Sequence, residues 1–259
     1  MKLTKEHAAD NRQSIIETAG RLFRERGFDG VGVADLMKAA GFTHGGFYNH
    51  FSSKAALAAE AASSGLKHSH TKLLDVLMNE QRPGSSGLAK HVEYYLSLEH
   101  RDDRAGGCTI ASLAGDAARG NEEIQAGFAP GIEEELDIFT SYFAKGDSKD
   151  QGSALSARER AIQLVSELVG AVILARAVAH ANPSLSDQIL QVTRRHLLVK
   201  QATRKRSRRR NPAGLSRRHR DDEAVGAAER GQLPDPYRRP DPKHAKNCRN
   251  YPDRSASSP

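Results

Sequence analysis

Between Thr43 and Lys54 (THGGFYNHFSSK) the chain gathers side chains that can bond to phosphates and base edges. Thr43 and Tyr48 offer hydroxyls, and His44 and His50 offer ring nitrogens. Lys54 offers a cation, and Asn49 offers the donor–acceptor pair that can meet adenine in a bidentate way. Gly45 and Gly46 add two positions with no side chain. This is the chemistry of recognition. Catalytic patterns are not found elsewhere: there is no Gly-rich phosphate loop, no HExxH motif and no nucleophile elbow. The 11 histidines are scattered. His68 and His70 lie two apart on an expected helix and do not share a face. The cysteines, Cys108 and Cys248, have no second Cys or Cys/His cluster close by, so no disulfide framework, metal site or cofactor is expected.

Two short helices and a tight turn must hold those groups. Val33 to Ala40 places Leu36, Met37 and Ala40 on one face. Gly41 stops that helix, because glycine accepts the left-handed conformation. Thr43 can cap a second helix from His44 to about Phe51, with Phe47 and Phe51 pointing inward at i, i+4. The pattern predicts a helix-turn-helix whose second helix enters a DNA groove. A first helix over about 10–26 carries Ile15, Ile16, Ala19, Leu22 and Phe23 as a stripe that closes a three-helix core. Gly27 ends it.

These residues resemble the TetR/AcrR family of bacterial transcriptional regulators. The carriers are Leu22-Phe23 with Gly27-Phe28, Asp35-Leu36 with Ala39-Ala40-Gly41-Phe42, Phe47-Tyr48-Asn49-His50-Phe51, and Ser53-Lys54 with Leu57. Gly32 departs from the family, which usually has Ser or Thr there; Asp35 can cap backbone donors in its place. The resemblance implies phosphate contacts from Thr43, Tyr48 and Lys54. It puts His44, Asn49 and the backbone near Gly45-Gly46 at the base edges, with His50 on the same DNA-binding face. It also implies a helical effector-binding domain and dimerisation through the last two helices.

The 259 residues suffice for two small domains. The fold class expected is all-α: a helix-turn-helix domain at 1–54, a helical effector-binding and dimerisation domain at 55–200, and a disordered basic tail at 201–259. The net charge of +7 divides unevenly. Residues 201–259 hold 16 Lys+Arg against 7 Asp+Glu, whereas residues 1–54 hold only 8 against 6. DNA affinity of the head must therefore come from placed contacts more than bulk charge. No run approaches the roughly 18 to 20 apolar residues of a membrane span, and MKLTKEHAAD has no secretory core. A cytoplasmic location is expected.

Ser53 to about Asn79 reads as the connector helix, with a weak spot at Ser63-Ser64-Gly65. A loop follows at 82–87, then one helix from Leu88 to about His100 with Leu88, Val92, Tyr95 and Leu96 on one side. Cys108 to Arg119 is a small-residue helix. Asn121 to about Lys145 carries Pro130-Gly131, which predicts a kink or break. Ser156 and Glu159 form a capping box for a helix reaching His180. One face, Ile162, Val165, Val169, Val172 and Ile173, is expected in the core. The other, Leu164, Leu168, Ala171, Ala175 and Val178, is expected to meet a partner chain. Ser184 and Asp187 cap a last helix to about Lys200.

The function expected is a ligand-responsive repressor that binds a palindromic double-stranded DNA operator as a homodimer through helices 156–180 and 185–200. Its small-molecule effector would sit between about Leu88 and Ile173. The aromatic lining candidates are Tyr94, Tyr95, Phe128, Phe139, Tyr142 and Phe143. Two other classes remain open: a sequence-indifferent nucleic-acid binder acting through the tail, and a helical enzyme. Cys108 is a candidate effector or redox sensor. It follows Gly106-Gly107 at a helix start, near Arg104 in sequence, where backbone donors favour a thiolate.

Overall fold

The computed structural model describes residues 5–78, 86–147 and 155–210. Among the described residues all regular structure is helical. Helix α1 (Lys5–Arg26), α2 (Val33–Ala39) and a short 3-10 helix (His44–Asn49) form the head. Ile15, Ala19 and Phe23 of α1 are buried with Leu36, Met37, Phe47 and Phe51, the core the stripe predicts. The hinge between α2 and the 3-10 helix is a Schellman turn. Gly41 has φ +83°, Phe42 N–H donates to the Met37 carbonyl, and Gly41 N–H donates to that of Lys38.

Helix α3 (Lys54–Met78) leaves the head as the connector, capped by Ser53, whose hydroxyl accepts from Ala56 N–H at 2.9 Å. It is unbroken through Ser63-Ser64-Gly65. Gly65 serves close approach there, since a Cβ would stand 2.6 Å from Thr109 Oγ1. The helix expected over 88–100 is two helices, α4 (Gly87–Tyr95) and α5 (Leu98–Asp102). The Ser97 hydroxyl accepts from His100 N–H and starts a new helix instead of continuing the old one. Helix α6 is Thr109–Arg119 with Cys108 at its N-cap.

Helix α7 (Glu122–Asp147) runs through Pro130. Proline removes one helical hydrogen bond, and packing on α3 holds the helix across it. Gly127 and Gly131 share the α3 side, where a Cβ at Gly127 would lie 2.8 Å from Ala59 and one at Gly131 would strike Leu66. Helix α8 (Ala157–Val178) has the expected capping box, with Ser156 N–H donating to Glu159 at 2.7 Å. Helix α9 (Pro183–Arg210) is capped by Asn182, whose side chain accepts from Leu185 N–H, and not by Ser184 and Asp187. Pro183 fits the first turn, where no N–H is needed. Asp187 instead accepts from Arg101 at 2.9 Å. The helix continues ten residues past the expected boundary at 200, so 201–210 are helical. The loop expected at 82–87 falls largely outside the described residues, as does the tail from 211 with Cys248.

Val165 and Val172 of the α8 face expected in the core are buried there, but the face expected to meet a partner joins them. Leu164, Leu168, Ala171 and Ala175 are buried in the protomer, while Ile162, Ile173 and Leu174 are exposed at 45%, 40% and 58%. The small residues let neighbouring helices approach within one chain. Helix α8 is also long and apolar enough to cross a membrane by length and composition, which the sequence reading had not expected. Here it is a core helix on one side, and its Arg176 donates to the Arg101 and His100 carbonyls and to the Ser112 hydroxyl.

Candidate nucleic-acid interface and interior cavity

The recognition segment is a 3-10 helix, shorter and tighter than the α-helix expected to Phe51. Two adjacent glycines are poor helix formers, and a 3-10 turn suits such short pieces. Thr43 is its N-cap, exposed, but its side chain makes no capping bond. Gly32 likewise caps α2 with no side-chain bond. His44, Gly45, Tyr48 and Asn49 are exposed, and Gly46 and His50 are half-buried. Tyr48 is 69% exposed while Phe47 beneath it is 1% exposed. The two rings meet edge to face with centroids 5.2 Å apart, and Phe47 and Phe51 are 5.6 Å apart. Lys54 is the half-buried first residue of α3.

Arg12 of α1 clamps the far end of this segment. Its guanidinium bonds Glu60 of α3 at 2.6 Å, donates to the His50 carbonyl at 3.4 Å, and lies 4.7 Å from the centre of the Phe51 ring. Three elements are thus tied at one residue.

Behind the head lies a cavity of about 590 Å³. Ile16, Gly20 and Arg24 of α1 form one wall, and Ala61, His70 and Leu73 of α3 form another. Tyr94, Tyr95 and His91 of α4, the Gly106–Cys108 turn and Glu135 of α7 close it. It reaches the head, outside the 88–173 span expected for an effector. Of the six aromatic candidates only Tyr94 and Tyr95 line it; Phe128 and Phe139 are buried in the core, and Tyr142 and Phe143 pack against it. Arg24 Nε donates to the Ala105 carbonyl at 2.7 Å, joining head and turn.

The inner end of the cavity is crowded with polar groups. Cys108 N–H donates to His100 Nε2 at 3.1 Å, so His100 carries its hydrogen on Nδ1, 2.8 Å from the Tyr95 carbonyl. Burial lowers the His100 pKa. Burial also pushes His91 down to about 4, with His100 adding to it, so His91 is neutral at physiological pH. On His70, burial is outweighed by Glu135 and Glu134, and its pKa is raised. Cys108 differs from expectation. Backbone donors of Ala111 and Ile110 do face its sulfur, yet the residue is buried, and burial, with the charge of Glu135, raises the thiol pKa. The lowered pKa expected of a sensor is absent because burial in a low dielectric outweighs a few amide dipoles.

Residues 15–61 match the family model of the bacterial regulatory proteins, tetR family. The head belongs to that family. The repressor NemR of Escherichia coli strain K12 is 22% identical over 129 residues, covering 50% of this chain and 65% of NemR. The regulator TtgR of Pseudomonas putida is 40% identical over 73 residues, covering 28% of this chain and 34% of TtgR. The chain therefore matches less than two thirds of the length of these curated relatives. The solved structure of reduced E. coli NemR superposes with a TM-score of 0.62 at 20% identity, over 72% of this chain and 94% of that one. That likeness speaks for the fold alone.

Beyond the tetR-family head, sequence reading missed Arg12, Arg24, His91 and the pair His70–Glu135. A signal existed for the last two. His70 follows Leu66 and precedes Leu73 and Leu77, and Glu135 stands between Phe128 and Phe139 at helical spacing. Each is a titratable residue on an apolar stripe. Arg12 carries no such mark, since its partner Glu60 is 48 residues away.

Proposed function

We propose that this chain is a cytoplasmic, homodimeric, effector-responsive DNA-binding repressor. The observation that carries the reading is the recognition segment, where Phe47 and Phe51 are locked inside and Thr43, His44, Tyr48 and Asn49 are held outside on adjacent turns. Such a face can press into a major groove. Thr43, Tyr48 and Lys54 would bond phosphates and set register. His44, Asn49 and the backbone at Gly45-Gly46 would face base edges, and His50 would line the same face.

The dimer would form through α8 and α9. Ile162, Ile173 and Leu174, with Val192 of α9, are exposed large apolar side chains on these two adjacent helices. The cavity is the natural effector site, because one of its walls is helix α1 of the head itself. Its occupant can shift DNA affinity only as far as it binds one arrangement of α1 better than the other.

The test is footprinting on DNA flanking the chain's own gene. A protected, roughly palindromic site is expected, and no protected site at all would refute the reading. For the dimer, Ile173→Asp should give monomers by analytical ultracentrifugation with helicity kept. A dimer that survives that change is not built on this face.

A further inference from the structure

We propose that the cavity, which the repressor reading makes the effector site, takes an organic ammonium ion whose charge rests on Glu135 and whose carbon frame lies among Tyr94, Tyr95 and His91. The argument begins with charge. His70 is buried and faces two carboxylates, Glu134 at 3.1 Å from Nδ1 and Glu135 at 3.8 Å from Nε2. One imidazolium supplies at most one positive charge, so one negative charge is left over. Glu134 is half exposed and faces water, whereas Glu135 is only 6% exposed and lines the cavity, so the spare negative charge of the pair meets the cavity at Glu135. His70 is shared with Glu134 and stands 3.8 Å from Glu135, longer than a good hydrogen bond, so it offsets that charge only in part. A buried carboxylate left so is costly.

Arg176 and Arg24 are engaged elsewhere, and Lys72 of the cavity lining is exposed to water. Arg176 gives Nε, Nη1 and Nη2 to the Arg101 carbonyl, the Ser112 hydroxyl and the His100 carbonyl. Arg24 turns its Nε to Ala105. His100 is held neutral by its two bonds, and protonation of Nε2 would break the one to Cys108 N–H. In the same cavity His91 Nε2 is buried with no hydrogen-bond partner, and the Tyr95 hydroxyl is buried against the Cys108 thiol with its oxygen still able to accept. These acceptors stand ready for the N–H groups of an ammonium. The surroundings suit the rest of such a molecule, with His91 and Tyr95 ring centroids 5.5 Å apart and those of Tyr95 and His100 4.5 Å apart. Aromatic faces attract cations. The volume of about 590 Å³ is that of a small-molecule site.

The experiment is calorimetry on the full chain with three probes sharing one ring: 2-phenylethylamine, 2-phenylethanol and 3-phenylpropionate. The amine should bind at least about 30-fold more tightly than the alcohol, and the carboxylate weakest. Glu135→Gln, which keeps the shape, should bring the amine down to the alcohol and leave the alcohol unchanged. Tyr95→Phe should weaken the amine less. An amine that does not bind, or binds no better than the alcohol, overturns the proposal. So does a carboxylate that binds best, or a preference that survives Glu135→Gln. The ranking by the unaltered chain stands even if a variant fails to fold. The repressor reading is scored separately by DNA binding without probe. A chain that prefers the amine but protects no DNA supports the site and refutes the repressor, and a chain that protects DNA but prefers the carboxylate does the reverse.

Discussion

Around Phe47 the aromatic rings are inside and the hydrogen-bonding groups face water. Around Glu135 the hydrogen-bonding groups are inside and aromatic rings line an open space. The two regions therefore couple stability to function in opposite ways. On the head, working groups such as Tyr48 contribute little to folding, and the residues that hold them contribute much. In the cavity, the groups offered as working ones are themselves buried, so folding and ligand chemistry share the same atoms.

The largest expected effect tests the head's half of that contrast. Phe47→Ala should cost about 3–5 kcal/mol of unfolding free energy, the usual loss for a buried Phe, measured by denaturant titration. Phe47 also touches Phe51 and Tyr48, so DNA binding should fall with it. A loss under about 1 kcal/mol would mean that the recognition segment is not held by its rings.

The next effect belongs to the cavity and is read as a pH dependence. The folded pKa of His91 is lowered to about 4, against about 6.5 in the unfolded chain. The unfolded state then binds more protons between those values, and stability falls as pH falls from about 6.5 toward 4. From pH 7 to 4.5 this one group should remove about 2 kcal/mol. His70 acts with the opposite sign, since its raised pKa gives stability at low pH that is lost as pH rises through the folded value. His91→Phe should therefore unfold with a visibly flatter acid dependence than the native chain. Equal slopes would show that His91 is solvated.

Tyr48→Ala sharpens the comparison from the other side. The ring is exposed, so unfolding free energy should change by no more than about 0.5 kcal/mol. Operator affinity should drop more than about tenfold, and by a similar factor on altered operators, as for a phosphate contact. Asn49→Ala should instead relax preference at one base position, at about 1–3 kcal/mol. A destabilised Tyr48→Ala, or one with unaltered affinity, would remove the distinction between supporting and working residues in the head.

Much of the head was legible in the sequence because its signals are local. The stripe of α1, the inward pair Phe47 and Phe51 and the stop at Gly41 all lie within a few residues of what they control. The limits also have physical causes. Two glycines tightened the recognition helix to 3-10, a propensity effect the apolar spacing hid. Val165 and Val172 of α8 are in the core as expected, but the small-residue face is there too, because small residues suit close packing within a chain as well as between chains. Pro130 did not break α7 because Gly127 and Gly131 seat it against α3, a contact invisible along the chain. The cavity was hardly legible at all. Its groups come from α1, α3, α4 and α7, and only the misplaced His70 and Glu135 on apolar stripes pointed to it. Cys108 was found, but its burial depends on neighbours that sequence spacing does not name.

The smallest effect concerns the hinge on which the head's arrangement turns. Gly41 has φ +83°, and a Cβ there would meet nothing within 4 Å. Gly41→Ala thus adds no collision, and its whole cost is the left-handed backbone, about 1 kcal/mol. Gly41→Asn should cost less, because asparagine visits that region more readily. The Schellman bonds from Phe42 and Gly41 fix where the recognition segment begins, so operator affinity should fall in the same order, Gly41 above Asn above Ala. If Ala were as stable as Gly while DNA binding fell, the hinge would have shifted to another conformation without cost, and Gly41 would set the angle of the recognition segment and not the stability of the head.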